Sequence, residues 1–177
     1  MATKQAADLT ELLSELVAFK TVSGDNLSAV ECQDYVQHFL RQRGMYVESK
    51  LINGFPSLLA TTRPTKTPKI LLHAHLDVVP CPGSLFKLTE KGGKLCGRGV
   101  YDMKFAGAVF LKVVDELQAE LADYDFGIMF SFDEEIGGEN GVKAWLKDGY
   151  KAKVCVLPDA GDNWHIELTT REFGLSG

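Results

Sequence analysis

No stretch of these 177 residues approaches a membrane span; the longest apolar runs, such as Ala106–Leu111, are far too short. The polar Met1–Thr10 contains no apolar core of the kind a secretory signal requires. No Lys/Arg-rich tract occurs, and 19 basic against 24 acidic residues leave a net charge of −5, so nucleic acid and anionic membrane are not expected partners. The four cysteines (Cys32, Cys81, Cys96, Cys155) lie far apart without a Cys-x-x-Cys pair. That excludes the common zinc-ribbon spacings, gives no sign of a disulfide framework, and predicts free thiols in the cytoplasm. Cys81 lies just after a histidine-bearing strand and is the thiol to watch for metal or oxidant sensitivity. Internal repeats and low-complexity tracts are absent. The glycines at 137, 138 and 141 lack the Gly-Lys-Ser/Thr that a phosphate loop needs.

What remains is a composition of 45% hydrophobic and 24% charged residues, that of a globular protein with one ordinary-sized domain. Helical spacing of Leu12, Leu13, Leu16 and Val17 predicts a helix over Leu9–Phe19. A second helix, capped by Asn26 or Ser28, should run to Arg43 with Val30, Tyr35, Val36, Phe39 and Leu40 on its apolar face. Extended segments follow at Tyr46–Ile52, Ser57–Thr61 and Lys69–His75, the last reading as a strand buried on both faces. Phe86–Leu88 and Lys94–Cys96 flank a hairpin signal at Glu90-Lys91-Gly92-Gly93. A helix over Met103–Glu120, a strand over Phe126–Phe132, a short helix near Gly141–Lys147 and strands at Lys153–Leu157 and His165–Thr170 complete the pattern. Strands alternating with helices predict an α/β fold with a mixed, largely parallel sheet sandwiched by helices.

The chemistry-bearing residues recur at one topological position. His75 and Asp77 end one predicted strand, Glu134 and Glu135 follow another, and Asp159 follows a third. Asp102 lies between the hairpin and a helix. The carboxyl ends of strands in an open α/β sheet form the ligand crevice, so these residues can converge. One imidazole with several carboxylates suits Zn²⁺ better than Mg²⁺, which favours an all-oxygen shell. Of two adjacent glutamates, one can ligate metal while the other takes a proton from the bound water. Each piece also has a plainer reading. Glu134-Glu135 could be a solvated acidic turn, Pro158-Asp159 an ordinary turn, Asp77 a loop cap and Arg98 a structural hydrogen-bonder. His73 reads as a core histidine and His38 as a surface one.

Three blocks carry a resemblance: His75-Leu76-Asp77-Val78-Val79-Pro80, Gly97-Arg98-Gly99-Val100-Tyr101-Asp102-Met103-Lys104 and Asp133-Glu134-Glu135-Ile136-Gly137-Gly138. In order and spacing they resemble the co-catalytic zinc family of acetylornithine deacetylase, succinyl-diaminopimelate desuccinylase, carboxypeptidase G, peptidase T and carnosinase-type dipeptidases. The resemblance implies two zinc ions per complete site, with Co²⁺ or Mn²⁺ as substitutes. It implies that His75 and Asp159 hold one metal, Glu135 the other, and that Asp102 bridges them. Glu134 would be the general base, and Asp77 the acid that orients His75 through its other ring nitrogen. The reaction implied is hydrolysis of an amide or peptide bond in a small peptide or N-acyl amino acid; a homodimer is compatible with it. Aspartate at 159 resembles the dipeptidase and aminopeptidase branch.

Two departures stand out. Phe105 and Ala106 replace the family's paired glycines, with Gly107 behind them. The family's last zinc ligand is a histidine near the end of a much longer chain, beyond an inserted lid or dimerisation domain. Residues 1–177 are therefore expected to be the N-terminal part of the catalytic domain. His165 is the sole histidine after Asp159. Two rival readings follow: an inactive metal-binding fragment, and an Mg²⁺-dependent phosphoryl-transfer enzyme.

Overall fold

The computed structural model describes residues 8–159, and every structural statement below concerns those residues. Helix α1 (Leu9–Ala18) starts where the Asp8 carboxylate accepts the N–H groups of Thr10 and Glu11, and it buries Leu12, Leu13, Leu16 and Val17. Helix α2 (Asn26–Gln42) is capped by Asp25, not by Asn26 or Ser28. Asp25 presents its oxygen one residue ahead of the first turn, where it meets the Ser28 N–H. The buried stripe of α2 is Ala29, Cys32, Gln33, Val36, Phe39 and Leu40, with Val30 and Tyr35 half-buried at its margin.

Strands β1 (Tyr46–Ile52) and β2 (Phe55–Thr61) form a hairpin through Asn53 and Gly54, both at positive φ, as a two-residue turn between twisted strands requires. After β3 (Ile70–His75), the small hairpin pairs β4 (Thr89–Lys91) with β5 (Lys94–Cys96) across Gly92-Gly93. Phe86 is not in a strand. It closes a 3-10 turn over Gly83–Phe86 that buries its ring. Helix α3 (Phe105–Glu116) begins later and ends earlier than its apolar pattern predicts, because Asp102 and Met103 hold non-helical backbone within the preceding turn. Strand β6 (Phe126–Ser131), helix α4 (Val142–Lys147) and strand β7 (Val154–Val156) follow. The expected strand at His165–Thr170 lies outside the described residues. No helix among the described residues is long and apolar enough to cross a membrane.

The five-stranded sheet has the order β1-β2-β6-β3-β7. Strands β6, β3 and β7 are parallel; β1 and β2 run antiparallel to their neighbours. Side-chain alternation divides the core. Leu58, Ala60, Ala74, Ile128 and Phe130 meet α1, α2 and α3 on one face. Leu59, Leu71 and Met129 meet Trp145 of α4 and Tyr150 on the other. Burial on both faces is why β2, β3 and β6 read as nearly continuous apolar runs. Gly107 lets α3 approach the sheet closely: a Cβ there would stand 2.8 Å from Leu76 Cδ2 and 3.2 Å from Leu16 Cδ1.

Candidate metal centre

His75 is the last residue of β3, in register with Ser131, the last of β6. The segments leaving both strands therefore emerge side by side at one sheet edge. Asp77 leaves from β3, and Glu134 and Glu135 form a 3-10 turn over Glu134–Ile136 just past β6. Asp102 arrives from the opposite side, on the irregular turn Val100–Lys104 ahead of α3; its peptide bond to Met103 is cis.

The imidazole of His75 is buried. Its Nδ1 lies 3.1 Å from the Asp77 carbonyl oxygen and 3.4 Å from Asp77 Oδ1. A proton on Nδ1 donated in that direction leaves Nε2 facing outward, 3.0 Å from Asp102 Oδ1 and 3.8 Å from Glu134 Oε2. Burial disfavours the charged ring. The hydrogen bond with Asp77 and the charges of Asp77, Glu134 and Asp102 outweigh that and raise its pKa to about 9.

Asp77 is also buried, and it does more than hold a histidine. Its Oδ1 accepts the Glu134 N–H at 3.2 Å, and its Oδ2 accepts the Glu135 N–H at 3.1 Å and the Ser23 hydroxyl at 2.7 Å. Burial alone would raise its pKa, but the bonds from His75 and Ser23, the His75 charge and the Glu135 N–H bring it below the usual carboxylate value. Ser23 reaches it because Thr21–Ser23 runs alongside Leu76–Val78: Val78 N–H donates to Thr21 O, and Ser23 N–H to Val78 O. Contact between residues 54 positions apart leaves no local signal.

His75, Asp102 and Glu135 each offer one ligand atom, and these atoms lie within 4.8 Å of one another. Glu134 stands beside them, nearly half exposed. Its carboxyl pKa is raised by burial first and then by the charges of Asp159, Asp77 and Asp102, against the lowering effect of His75. Burial and then Asp102 act the same way on Glu135. Carboxylates crowded in this manner around one imidazole nitrogen suit a divalent cation, which would relieve their mutual repulsion. Asp159, exposed after β7, stays outside the group of three, yet its charge registers at Glu134.

The remaining candidates take other roles. His73 is buried beneath the site, with Nε2 3.0 Å from Ser131 Oγ; burial first, then the charge of His75, depresses its pKa to about 3 and keeps it neutral. His38 is exposed, 2.7 Å from Gln42 Nε2. Arg98 donates its backbone N–H to Leu85 O. Cys81 is half-buried. Lys104 is the residue whose place the sequence most disguised. Its side chain is buried, and Nζ donates to Leu16 O and Phe19 O at 2.8 Å each, tying the turn that carries Asp102 to the end of α1.

A mixed α/β sheet with a histidine and carboxylates gathered at its strand ends defines a candidate metal centre in a zinc-peptidase-like fold. Residues 71–172, more than half of the chain, match peptidase family M20/M25/M40, and the chain belongs to that family. It is 32% identical over 162 residues to a succinyl-diaminopimelate desuccinylase of Rickettsia akari, covering 82% of this chain and 42% of that enzyme. The corresponding enzyme of Rickettsia canadensis is 32% identical over 148 residues, 76% of this chain and 38% of its own. The fold is similar to that of human carnosine dipeptidase 1, with a TM-score of 0.72 at 22% identity over 86% of this chain and 38% of the dipeptidase. An M20 family metallo-carboxypeptidase from Sulfolobus solfataricus gives 0.69 at 18% identity, over 88% and 38%. The chain thus spans about two fifths of the length of the curated relatives it matches.

Proposed function

We propose that residues 1–177 are the N-terminal part of the catalytic domain of a two-zinc hydrolase of amide or peptide bonds, the rest of that domain and a lid domain belonging to a longer protein. The observation that carries this reading is the convergence of His75, Asp102 and Glu135 within 4.8 Å, with Glu134 alongside. The desuccinylase, dipeptidase and carboxypeptidase relatives support a small peptide or N-acyl amino acid as substrate. Four free cysteines are in keeping with a cytoplasmic protein. A homodimer belongs to the same reading.

His75 and Asp159 would hold one metal, Glu135 the other, and Asp102 both. The metals would supply Lewis acidity toward water and the substrate carbonyl. Glu134, whose pKa is raised, accepts a proton from the attacking water and delivers it to the departing nitrogen. Asp77 holds His75 through Nδ1 and the Glu134–Glu135 turn through two backbone N–H groups, so one carboxylate sets the relative placement of ligands and base.

Diffraction at the zinc absorption edge on zinc-soaked crystals should show anomalous density among His75, Asp102, Glu135 and Asp159. Zinc found only elsewhere would overturn the assignment. A second reading, a chain that binds metal yet turns over little by itself, is favoured by the count of converging ligand groups: three among the described residues, fewer than two complete sites need.

A further inference from the structure

Asp133 precedes the two glutamates, and its carboxylate is completely buried. Oδ2 accepts the N–H of Asn140 at 2.7 Å and of Gly141 at 3.1 Å. The carbonyl oxygen of the same residue accepts the Gly138 N–H at 2.7 Å, while Gly137 N–H donates to Glu134 O at 2.8 Å. The loop from 134 to 141 is thereby closed onto the one residue from which it departs. Gly141 completes the closure: a Cβ there would stand 2.5 Å from Asp133 Oδ1 and 2.9 Å from Ser131 Cβ. The carboxylate is held by two N–H groups at Oδ2, so it moves away from a Cβ at 141 only by disturbing those bonds.

We propose that Asp133 is a positioning residue for the metal centre: with Gly141 it locks the 134–141 loop, and so fixes the direction in which Glu135 and Glu134 leave β6. The glutamate turn then hangs between two buried carboxylates. Asp77 from β3 holds its N–H groups, and Asp133 from β6 closes its return. A ligand on a loop is only as well placed as the residues that fix the loop. The plainer role, satisfying the N–H groups that precede α4, predicts a loss of stability with the metal site untouched.

This proposal rests on the reading of Glu135 as a metal ligand, so the test carries Glu135→Gln as its reference. The 177-residue chain is titrated with Zn²⁺ by calorimetry and with Co²⁺ by visible absorption, whose band positions report ligand geometry. Asp133→Ala should weaken binding of the second Zn²⁺, the one assigned to Glu135, by about 10–100-fold and change the Co²⁺ spectrum, as loss of a ligand-orienting partner does. Asp133→Asn keeps an oxygen for both N–H groups and should restore binding to within a few-fold of the parent. Gly141→Ala should weaken binding too, and by less in the Asp133→Ala background, since the carboxylate it strikes is gone. Leu111→Ala, a core change in α3, serves as the control for general destabilisation and should leave the affinity unchanged. If Asp133→Ala does not fold, the comparison of Gly141→Ala with Asp133→Asn decides. Unchanged affinity and spectrum in Asp133→Ala, with Glu135→Gln impaired, would overturn the positioning role alone. Unchanged binding of that second Zn²⁺ in Glu135→Gln would overturn the ligand assignment, and the positioning role with it.

Discussion

His75 Nδ1 and Asp77 Oδ1 stand 3.4 Å apart, and the same Asp77 carboxylate receives the N–H groups of Glu134 and Glu135. Histidine, base and second acid are therefore referred to a single buried side chain. Replacing Asp77 by Ala removes the anchor for all three and should lower Zn²⁺ affinity by about 10–100-fold. Asp77→Asn should be nearly as damaging, because one of its two polar atoms becomes a donor facing donors. A calorimetric titration that found either variant equal to the parent would remove Asp77 from the site.

The raised pKa of His75 gives a pH dependence with a definite sign. Its folded value of about 9 lies above the ordinary 6.5, so in the metal-free chain it contributes stability that is fully present below 6.5 and lost as pH rises through 9. Asp77 acts at the other end: its depressed pKa contributes stability present above 3.8 and lost as pH falls through its lower folded value. Metal needs the neutral ring and competes with that proton, so Zn²⁺ affinity should rise across the window in which metal-free stability falls. Urea unfolding of the metal-free chain at about pH 6 and about pH 9 measures the first effect, and His75→Gln should flatten it. A parent whose stability did not fall over that interval would contradict the charged imidazole.

Glu134 and Glu135 are adjacent and should separate cleanly by substitution. In the complete enzyme Glu134→Gln should keep metal content near that of the parent while lowering kcat by about 10²–10⁴-fold, the usual contribution of a general base. Metal analysis beside steady-state kinetics checks this. Parallel loss of metal and activity would exchange the roles of the two glutamates.

How much of this was readable beforehand depended on whether the signal was local. Strands β3 and β6 are apolar runs that lead at once into His75-Leu76-Asp77 and Asp133-Glu134-Glu135, so both the element and the candidate ligands at its end stand in a few consecutive residues. The bond from Asp77 to the Glu135 N–H spans 58 positions and is set by the parallel register of the two strands, which no short pattern encodes. Asn53-Gly54 carries a local hairpin signal, and the structure joins the two extended segments on either side of it into one hairpin. Asp133 was legible only as the first letter of an acidic block. Its partners come from the loop ahead of α4, which folds back to present the N–H groups of Asn140 and Gly141.

Lys104 illustrates the same limit and supports a stability test. A lysine two residues past an aspartate carries no local sign of burial, but its ammonium is buried against two carbonyl oxygens at the end of α1, and burial draws its pKa down to about 8. Lys104→Met keeps the bulk and leaves Leu16 O and Phe19 O without their donor. Each orphaned buried acceptor costs about 1–3 kcal/mol, offset in part by the charge no longer buried. A net loss of about 1–3 kcal/mol should lower the melting temperature by about 3–10 °C. An unchanged melting temperature would mean that the carbonyls are satisfied without Lys104.

The metal stoichiometry of the chain by itself follows from counting donors. His75, Asp102 and Glu135 converge, with Asp159 exposed nearby, and a protein zinc site ordinarily takes at least three ligands. If Asp102 is shared, His75 and Asp159 complete one position, whereas Glu135 and Asp102 leave the other one short. Calorimetry should therefore find one tight Zn²⁺ per chain and a second bound more weakly. Hydrolysis of dipeptides and N-acyl amino acids should be weak in the same preparation, because the reaction needs both positions filled beside Glu134. Removing Asp159 as a ligand (Asp159→Ala) should abolish the tight site, while Glu135→Gln should affect chiefly the weak one. Two tight sites with ordinary turnover would refute the count, and would require the missing donor to come from His165 or from a second copy of the chain.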